Sequence, residues 1–67
     1  MKVNLVMTVK ATIVFDGVFN YVEMSDKYYS LQEYIKVTKM LMKEHDFDSG
    51  IIVDAETGEI LVEIIED

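Results

Sequence analysis

Hydrophobic side chains recur at every second position near the start of the sequence, a spacing typical of a β-strand with one buried face. Asp16-Gly17 follows this segment and suits a two-residue type I′ turn, because both central residues of that turn need a positive φ. The pattern therefore predicts a β-hairpin whose register pairs Thr12 with Tyr21 and Lys10 with Glu23. The positions sharing one side of the first strand are Val3, Leu5, Met7, Val9, Ala11, Ile13 and Phe15.

A helix is predicted to begin at Leu31. Ser30 followed three residues later by Glu33 is a capping box, and Tyr29 and Tyr34 occupy the two positions of a hydrophobic staple. Residues at helical spacing then form one face that extends to the predicted end of the helix. That face contains Leu31, Tyr34, Ile35, Thr38, Leu41, Met42 and His45.

The next part of the sequence predicts a second hairpin, preceded by a loop at residues 46–50. Residues 51–54 and 59–65 have strand-like patterns, and residues 55–58 suit a type I turn closed by a glycine. The order β-β-α-β-β predicts an α+β fold, a two-layer sandwich in which one helix covers one face of a four-stranded, mostly antiparallel sheet. At this length we expect a single domain over residues 1–67.

A sheet of this kind has one face without a helix, and the alternation places large apolar side chains there. Monomeric proteins seldom leave a large contiguous apolar patch in water. We therefore expect a second copy, in a homodimer, or a dedicated partner protein to cover this face. Its expected occupants are Val6, Val14, Phe19, Tyr21, Leu61 and Ile65, with Ile52 if the register allows.

Charge is distributed unevenly along the sequence. Residues 1–43 contain six lysines and four acidic residues, a balance of +2, whereas residues 44–67 contain nine acidic residues and no lysine or arginine, a balance of −9. An acidic surface repels phosphate, so we expect no direct binding of nucleic acid. It attracts basic protein surfaces, including those that normally hold nucleic acid. The predicted partner-binding residues are the acids Asp54, Glu56, Glu59 and Glu63 and the apolar anchors Phe19, Tyr21, Leu61 and Ile65.

No catalytic or metal-binding pattern is present in the sequence. It contains no cysteine and one histidine, His45, which excludes thiolate sites and sites with several imidazoles. Residues 46–50 contain the acidic residues of a calcium loop, but Thr57 stands where that loop needs a bidentate glutamate. We therefore expect no enzymatic activity, no metal ion and no cofactor.

The longest apolar run is three residues, as in residues 13–15, so we expect neither a membrane segment nor a secretory signal. In size, acidity and lack of arginine, the chain resembles the small acidic proteins that bacteriophages use against host enzymes, which include uracil-DNA glycosylase inhibitors, anti-restriction proteins and anti-CRISPRs. This resemblance is one of type, without a shared motif or residue role. It implies a cytoplasmic inhibitor that occupies a nucleic-acid-binding surface of a host protein by nucleic-acid mimicry. Two alternatives stay open: a homodimeric assembly module without inhibitory activity and, less favoured, a divalent-cation binder.

Overall fold

A computed structural model describes residues 7–17 and 20–66. Four strands form an antiparallel sheet in the order β3-β2-β5-β6, and β1 pairs with β4 in a separate two-stranded sheet. These elements confirm the predicted α+β fold with β-β-α-β-β order. Within these ranges, no helix is long and apolar enough to cross a membrane. The elements are β1 (Thr8–Val9), β2 (Ala11–Gly17), β3 (Tyr21–Met24), β4 (Tyr29–Ser30), α1 (Leu31–His45), β5 (Phe47–Asp54) and β6 (Ile60–Ile65).

The helix begins at Leu31, as the sequence predicts. The Ser30 hydroxyl accepts a hydrogen bond from the Glu33 N–H at 3.3 Å, which satisfies one of the backbone donors left free at a helix start. The rings of Tyr29 and Tyr34 meet edge to face, with centroids 5.8 Å apart. This contact fixes the direction in which the chain enters α1.

A single residue, Asp46, connects α1 to β5. It adopts the left-handed conformation, with φ 62° and ψ 39°, and its N–H donates to the carbonyl of Met42. This cap ends the helix after His45, as predicted. The predicted loop at residues 46–50 is wrong, because β5 begins at Phe47, whose buried side chain belongs to the core.

The core lies between α1 and one face of the four-stranded sheet, the inner face. Tyr34 ties the helix to the first strands, since its hydroxyl donates to the carbonyl of Val9 at 3.0 Å and accepts from the N–H of Ala11 at 3.1 Å. Within residues 7–17 and 20–66, no helix lies on the opposite face of the sheet, the outer face. The buried residues of the core are Ala11, Ile13, Phe15, Tyr34, Thr38, Met42, Phe47 and Ile52.

The register of the β2–β3 hairpin differs from the predicted register. Phe15 lies opposite Tyr21 and Ile13 opposite Glu23, so Tyr21 and Glu23 belong to the inner face. Asp16-Gly17 does not form the turn. Instead it continues the pairing of β2 with β5, across a β-bulge.

Strand β6 also contains a bulge, centred on Leu61. Val62 lies opposite Ile52, but Ile60 lies opposite Val53, so one residue of β6 has no partner. Leu61 therefore packs against the core on the inner face, whereas Ile60 belongs to the outer face. An unbroken alternation would have placed these two residues the other way round.

Candidate functional site

All four strands of the sheet present apolar side chains on the outer face. The register places them together, since Val14 lies opposite both Val22 and Ile51. The four members on the edge strands β3 and β6 are between 51% and 76% exposed, and those on β2 and β5 are half-buried. Monomeric proteins seldom expose large contiguous apolar patches, so this surface is the candidate site. The outer-face residues are Val14, Val22, Met24, Ile51, Val53, Ile60 and Ile65.

The expected position of Tyr21 on the uncovered face is wrong. Its ring lies on the inner face, with its centroid 6.1 Å from that of Phe15 and 6.3 Å from that of Phe47. The Tyr21 hydroxyl donates to a carboxylate oxygen of Glu23 at 2.7 Å. This hydrogen bond and the negative charge of Glu23 raise the pKa of Tyr21 above 10.0. Tyr21 therefore cannot serve as an anchor on the outer face.

The other residues predicted for the uncovered face lie in different places. Ile65 lies on the outer face and is 65% exposed. The bulge places Leu61 against the core, so its expected position on the uncovered face is also wrong. Ile52 is fully buried on the inner face. Phe19 and Val6 lie outside the described residues.

The tip of the β5–β6 hairpin is shaped by Asp54. One carboxylate oxygen of this residue accepts hydrogen bonds from the N–H groups of Glu56 at 2.8 Å and Thr57 at 3.2 Å. Its carbonyl accepts from the N–H of Gly58, which has the predicted positive φ of 77°. This arrangement is an Asx-turn. Asp54 therefore orders the turn that presents the neighbouring acids, and one of its oxygens is already occupied.

Glu56 connects this tip to the segment before β4. The hydroxyl of Tyr28 donates to the Glu56 carboxylate, and the N–H of Ala55 donates to the carbonyl of Lys10 at 2.8 Å. The pKa of Tyr28 is raised above 10.0 because ionisation would lose that hydrogen bond and bring a phenolate close to Glu56 and Asp54. Two hydrogen bonds, one from Tyr28 and one to Lys10, therefore connect the acidic tip to the rest of the molecule.

The predicted acids do not form one row. Glu63 lies opposite Ile51 on the outer face, within the apolar surface. The carbonyl of Glu59 accepts from the N–H of Asp54, so these two residues lie opposite each other. Glu59 directly precedes Ile60, which belongs to the outer face. Because side chains alternate along a strand and the bulge lies between the two glutamates, Glu59 and Glu63 point to opposite sides of the sheet.

Five outer-face residues are absent from the predicted occupants of this face: Val22, Met24, Ile51, Val53 and Ile60. Two of them, Val22 and Met24, lie on β3. Their alternation with Tyr21 and Glu23 is visible in the sequence. Which of the two alternating sets faces outward depends on the hairpin register, and a shift by an odd number of residues exchanges the faces. The alternating pattern of β3 was therefore visible in the sequence, but it could be assigned to the correct face only with the correct register of the β2–β3 hairpin.

In residues 7–17 and 20–66, no group of three or more histidine, cysteine, aspartate or glutamate side chains could hold a metal ion. The ring of His45 lies 5.6 Å from that of Phe47, which is a packing contact at the end of α1. The feature that remains is an apolar surface with acidic residues within it and beside it.

Comparison of the chain with models of known protein families, with curated proteins and with solved structures finds no match in any of the three. The outer face and the acidic hairpin are therefore the basis on which we infer a function.

Proposed function

We propose that the protein binds a basic surface of another protein and competes there with nucleic acid. The contact surface consists of the outer face together with the acidic β5–β6 hairpin. The observation that carries this proposal is the position of Glu63, an exposed carboxylate among the outer-face residues Ile51, Ile60 and Ile65. Binding surfaces that are both tight and selective combine an apolar centre with charged groups around it.

Each part of this surface has a distinct role in the proposal. The excess of negative charge after residue 43 attracts a basic partner from a distance and accelerates association. Burial of Val22, Met24, Ile60 and Ile65 supplies the larger part of the binding free energy, since all four are more than half exposed in the free molecule. The hydrogen-bonded hairpin tip holds Glu56 in place before the partner arrives, which lowers the entropy lost on binding.

The test compares two charge reversals that change the net charge equally. Glu63→Lys alters the outer face, whereas Glu44→Lys alters the last turn of α1, where a lysine is compatible with the helix dipole. The immobilised protein is exposed to a bacterial lysate at low and high salt, and bound proteins are then challenged with double-stranded DNA. We expect capture of a nucleic-acid-binding protein at low salt, release by DNA, and loss of capture in Glu63→Lys alone.

High salt should weaken this capture, because the Debye length falls from ~10 Å at 0.1 M to ~3 Å at 1 M. Equal capture by the Glu63→Lys and Glu44→Lys proteins would contradict the proposal, because the outer face would then have no special role. Captured proteins that DNA does not displace would refute the competition with nucleic acid.

A homodimer through the outer face is the second candidate function. It is favoured by the exposure of apolar residues on both edge strands, since a two-fold arrangement would bury the same surface on each copy. In this alternative the protein is an assembly module, and the acidic residues keep it soluble.

A further inference from the structure

Strand β6 forms one edge of the four-stranded sheet, and in the described part of the chain it pairs with β5 alone. The N–H of Glu66 donates to the carbonyl of Asp48 at 3.1 Å, so the backbone groups of Glu66 point towards β5. In an antiparallel ladder, the backbone groups of successive residues point alternately towards one side of the strand and the other. The N–H and C=O groups of Ile65 and Glu63 therefore point away from β5, along the edge of the sheet.

This edge has few of the features that keep an exposed strand from pairing. Proteins usually block such edges with lysines, prolines or bulges. Strand β6 contains no lysine and no proline, and its bulge at Leu61 lies near the start of the strand. Residues 62–65 therefore present a regular edge to another strand, and Glu63, the one charged residue of β6, restricts the register in which that strand can pair.

Two copies of β6 related by a two-fold axis would pair antiparallel, and their side chains distinguish the possible registers. Hydrogen-bonded pairs form between residues whose backbone groups point outward, which here are Glu63 and Ile65. Pairing of Glu63 with Glu63 would set like charges directly opposite each other, which is destabilising. Pairing of Ile65 with Ile65 would leave only the end of each strand in contact. Pairing of Glu63 with Ile65 avoids both problems and sets Ile64 against Ile64.

We propose that the protein forms a dimer in which two β6 edges join the two four-stranded sheets into one continuous sheet. Glu63 of each copy pairs with Ile65 of the other copy, and the two Ile64 side chains meet at the two-fold axis on the inner side. Such a contact closes after two copies, whereas pairing of β6 with β3 would continue into fibres. The dimer leaves the outer faces of both copies accessible, so it differs from a homodimer through the outer face and does not depend on the partner surface proposed above.

A groove between α1 and β6 favours a second copy as the molecule that pairs with this edge. It has a volume of about 350 Å³, and the half-buried side chain of Ile64 lines it together with Lys39, Lys43 and Glu66. In the proposed register, Ile64 of the second copy covers this apolar surface. Glu66 of the second copy follows two residues, or ~6.6 Å, further along its strand and on the same side of the sheet as the two lysines. Opposite charges therefore face each other across the dimer contact.

The first experiment measures hydrogen exchange of the backbone amides by NMR at low and high protein concentration, with sedimentation measured on the same samples. We expect the N–H groups of Glu63 and Ile65 to be protected only at high concentration, where the dimer forms. The N–H of Ile64 is the internal control, because it points towards β5 and should be protected at both concentrations. A protein that sediments as a monomer at high concentration, or a dimer in which Glu63 and Ile65 exchange as fast as in the monomer, would overturn the proposal.

Two matched pairs of variants test the register. In the dimer Ile65 lies opposite Glu63 of the second copy, so Ile65→Lys sets opposite charges together and Ile65→Glu sets like charges together. Ile60→Lys and Ile60→Glu make the same changes in net charge at a residue that is 59% exposed, compared with 65% for Ile65, and that lies beyond the paired residues.

We expect the dimer Kd of Ile65→Lys to be about tenfold lower than that of Ile65→Glu, because each dimer contains two such cross-strand pairs. The two Ile60 variants should differ from each other by less than about threefold, since only the net charge distinguishes them. Equal ratios for the two pairs of variants would refute the proposed contact.

Discussion

At Gly50, the backbone of β5 lies directly against α1. A Cβ atom added there would lie 2.7 Å from Cγ2 of Thr38 and 3.4 Å from the sulfur of Met42. Thr38 is fully buried, and its hydroxyl donates to the carbonyl of Tyr34 at 2.6 Å, so it has little freedom to move away. The close contact between helix and sheet therefore depends on the absence of a side chain at this residue.

We predict that Gly50→Ala lowers the free energy of unfolding by ~1–3 kcal/mol, the usual cost of an extra methyl group in a filled core. Chemical denaturation monitored by circular dichroism measures this change. Thr38→Ser removes the obstructing Cγ2 and retains the hydroxyl, so the double variant should be closer to the unmodified protein than additivity allows. Strictly additive losses would show that the alanine does not meet Thr38.

Gly58 acts differently. At Gly58 an added Cβ would meet nothing within 4 Å, and the positive φ of 77° is the only requirement. The sequence pattern predicts that conformation, because a glycine at the end of a short hairpin turn is a local signal. It gives no sign of the contact at Gly50, since the residue that excludes a side chain there is twelve positions away and belongs to another element.

At the scale of elements, the parts predicted correctly are those whose information is local. Ser30 and Glu33 are three residues apart and define the start of α1 without reference to the rest of the fold. The hairpin turn at residues 55–58 is likewise determined by nearby residues, with the Asp54 carboxylate accepting from the N–H groups of Glu56 and Thr57.

The parts predicted wrongly depend on pairing between distant segments. Asp16-Gly17 is a good turn sequence, but β5 offers it backbone partners at Phe47 and Ser49, and this pairing keeps both residues in β2. The bulge at Leu61 likewise has no local sign, because an isoleucine, a leucine and a valine follow one another there. These two shifts moved Tyr21 and Leu61 to the inner face, so the candidate site was only partly predictable.

The contact between Tyr28 and Glu56 joins two elements and gives a prediction at this scale. Tyr28 donates to Glu56, and its pKa is raised above 10.0 by that hydrogen bond and by the nearby negative charges. We expect Glu56→Gln to lower the pKa of Tyr28 towards its ordinary value, because glutamine carries no charge. Ultraviolet titration of the tyrosinate bands measures the shift, with Glu59→Gln as the control of equal charge.

The direction of the associated pH effect follows from the raised pKa. A tyrosine whose pKa is higher in the folded state contributes its stabilisation fully below pH 10.0, the value it has when unfolded. That contribution is lost as the pH rises through the raised value. Glu56→Gln should therefore make the alkaline loss of stability less steep, and an unchanged profile would show that the contact contributes nothing in solution.

At the scale of the whole molecule, the side of the sheet that α1 covers and the outer face differ in character. The helix covers the inner face, and it carries three exposed lysines, Lys36, Lys39 and Lys43. The outer face combines apolar side chains with Glu63, and in the described part of the chain its edge strands β3 and β6 each pair with one neighbouring strand. A partner of the proposed kind would approach from this side.

In the absence of that partner, we expect the outer face to drive weak self-association that increases with protein concentration. Val22→Asp places a charge on this face and should shift sedimentation towards smaller species. Met40→Asp is the matched control, because Met40 on α1 is 53% exposed and Val22 is 51% exposed. Equal sedimentation of the two variants would show that the outer face does not mediate the contact.

The strand order has a consequence for the time course of synthesis. The two central strands, β2 and β5, are separated along the chain by β3, β4 and the whole of α1. A growing chain that ends at Asp46 contains the β2–β3 hairpin and the helix, but it lacks β5, the strand that packs against α1 to close the core. A lone hairpin is only marginally stable in water. The core therefore cannot close before the chain has been synthesised as far as Asp54, and shorter nascent chains keep their apolar side chains exposed.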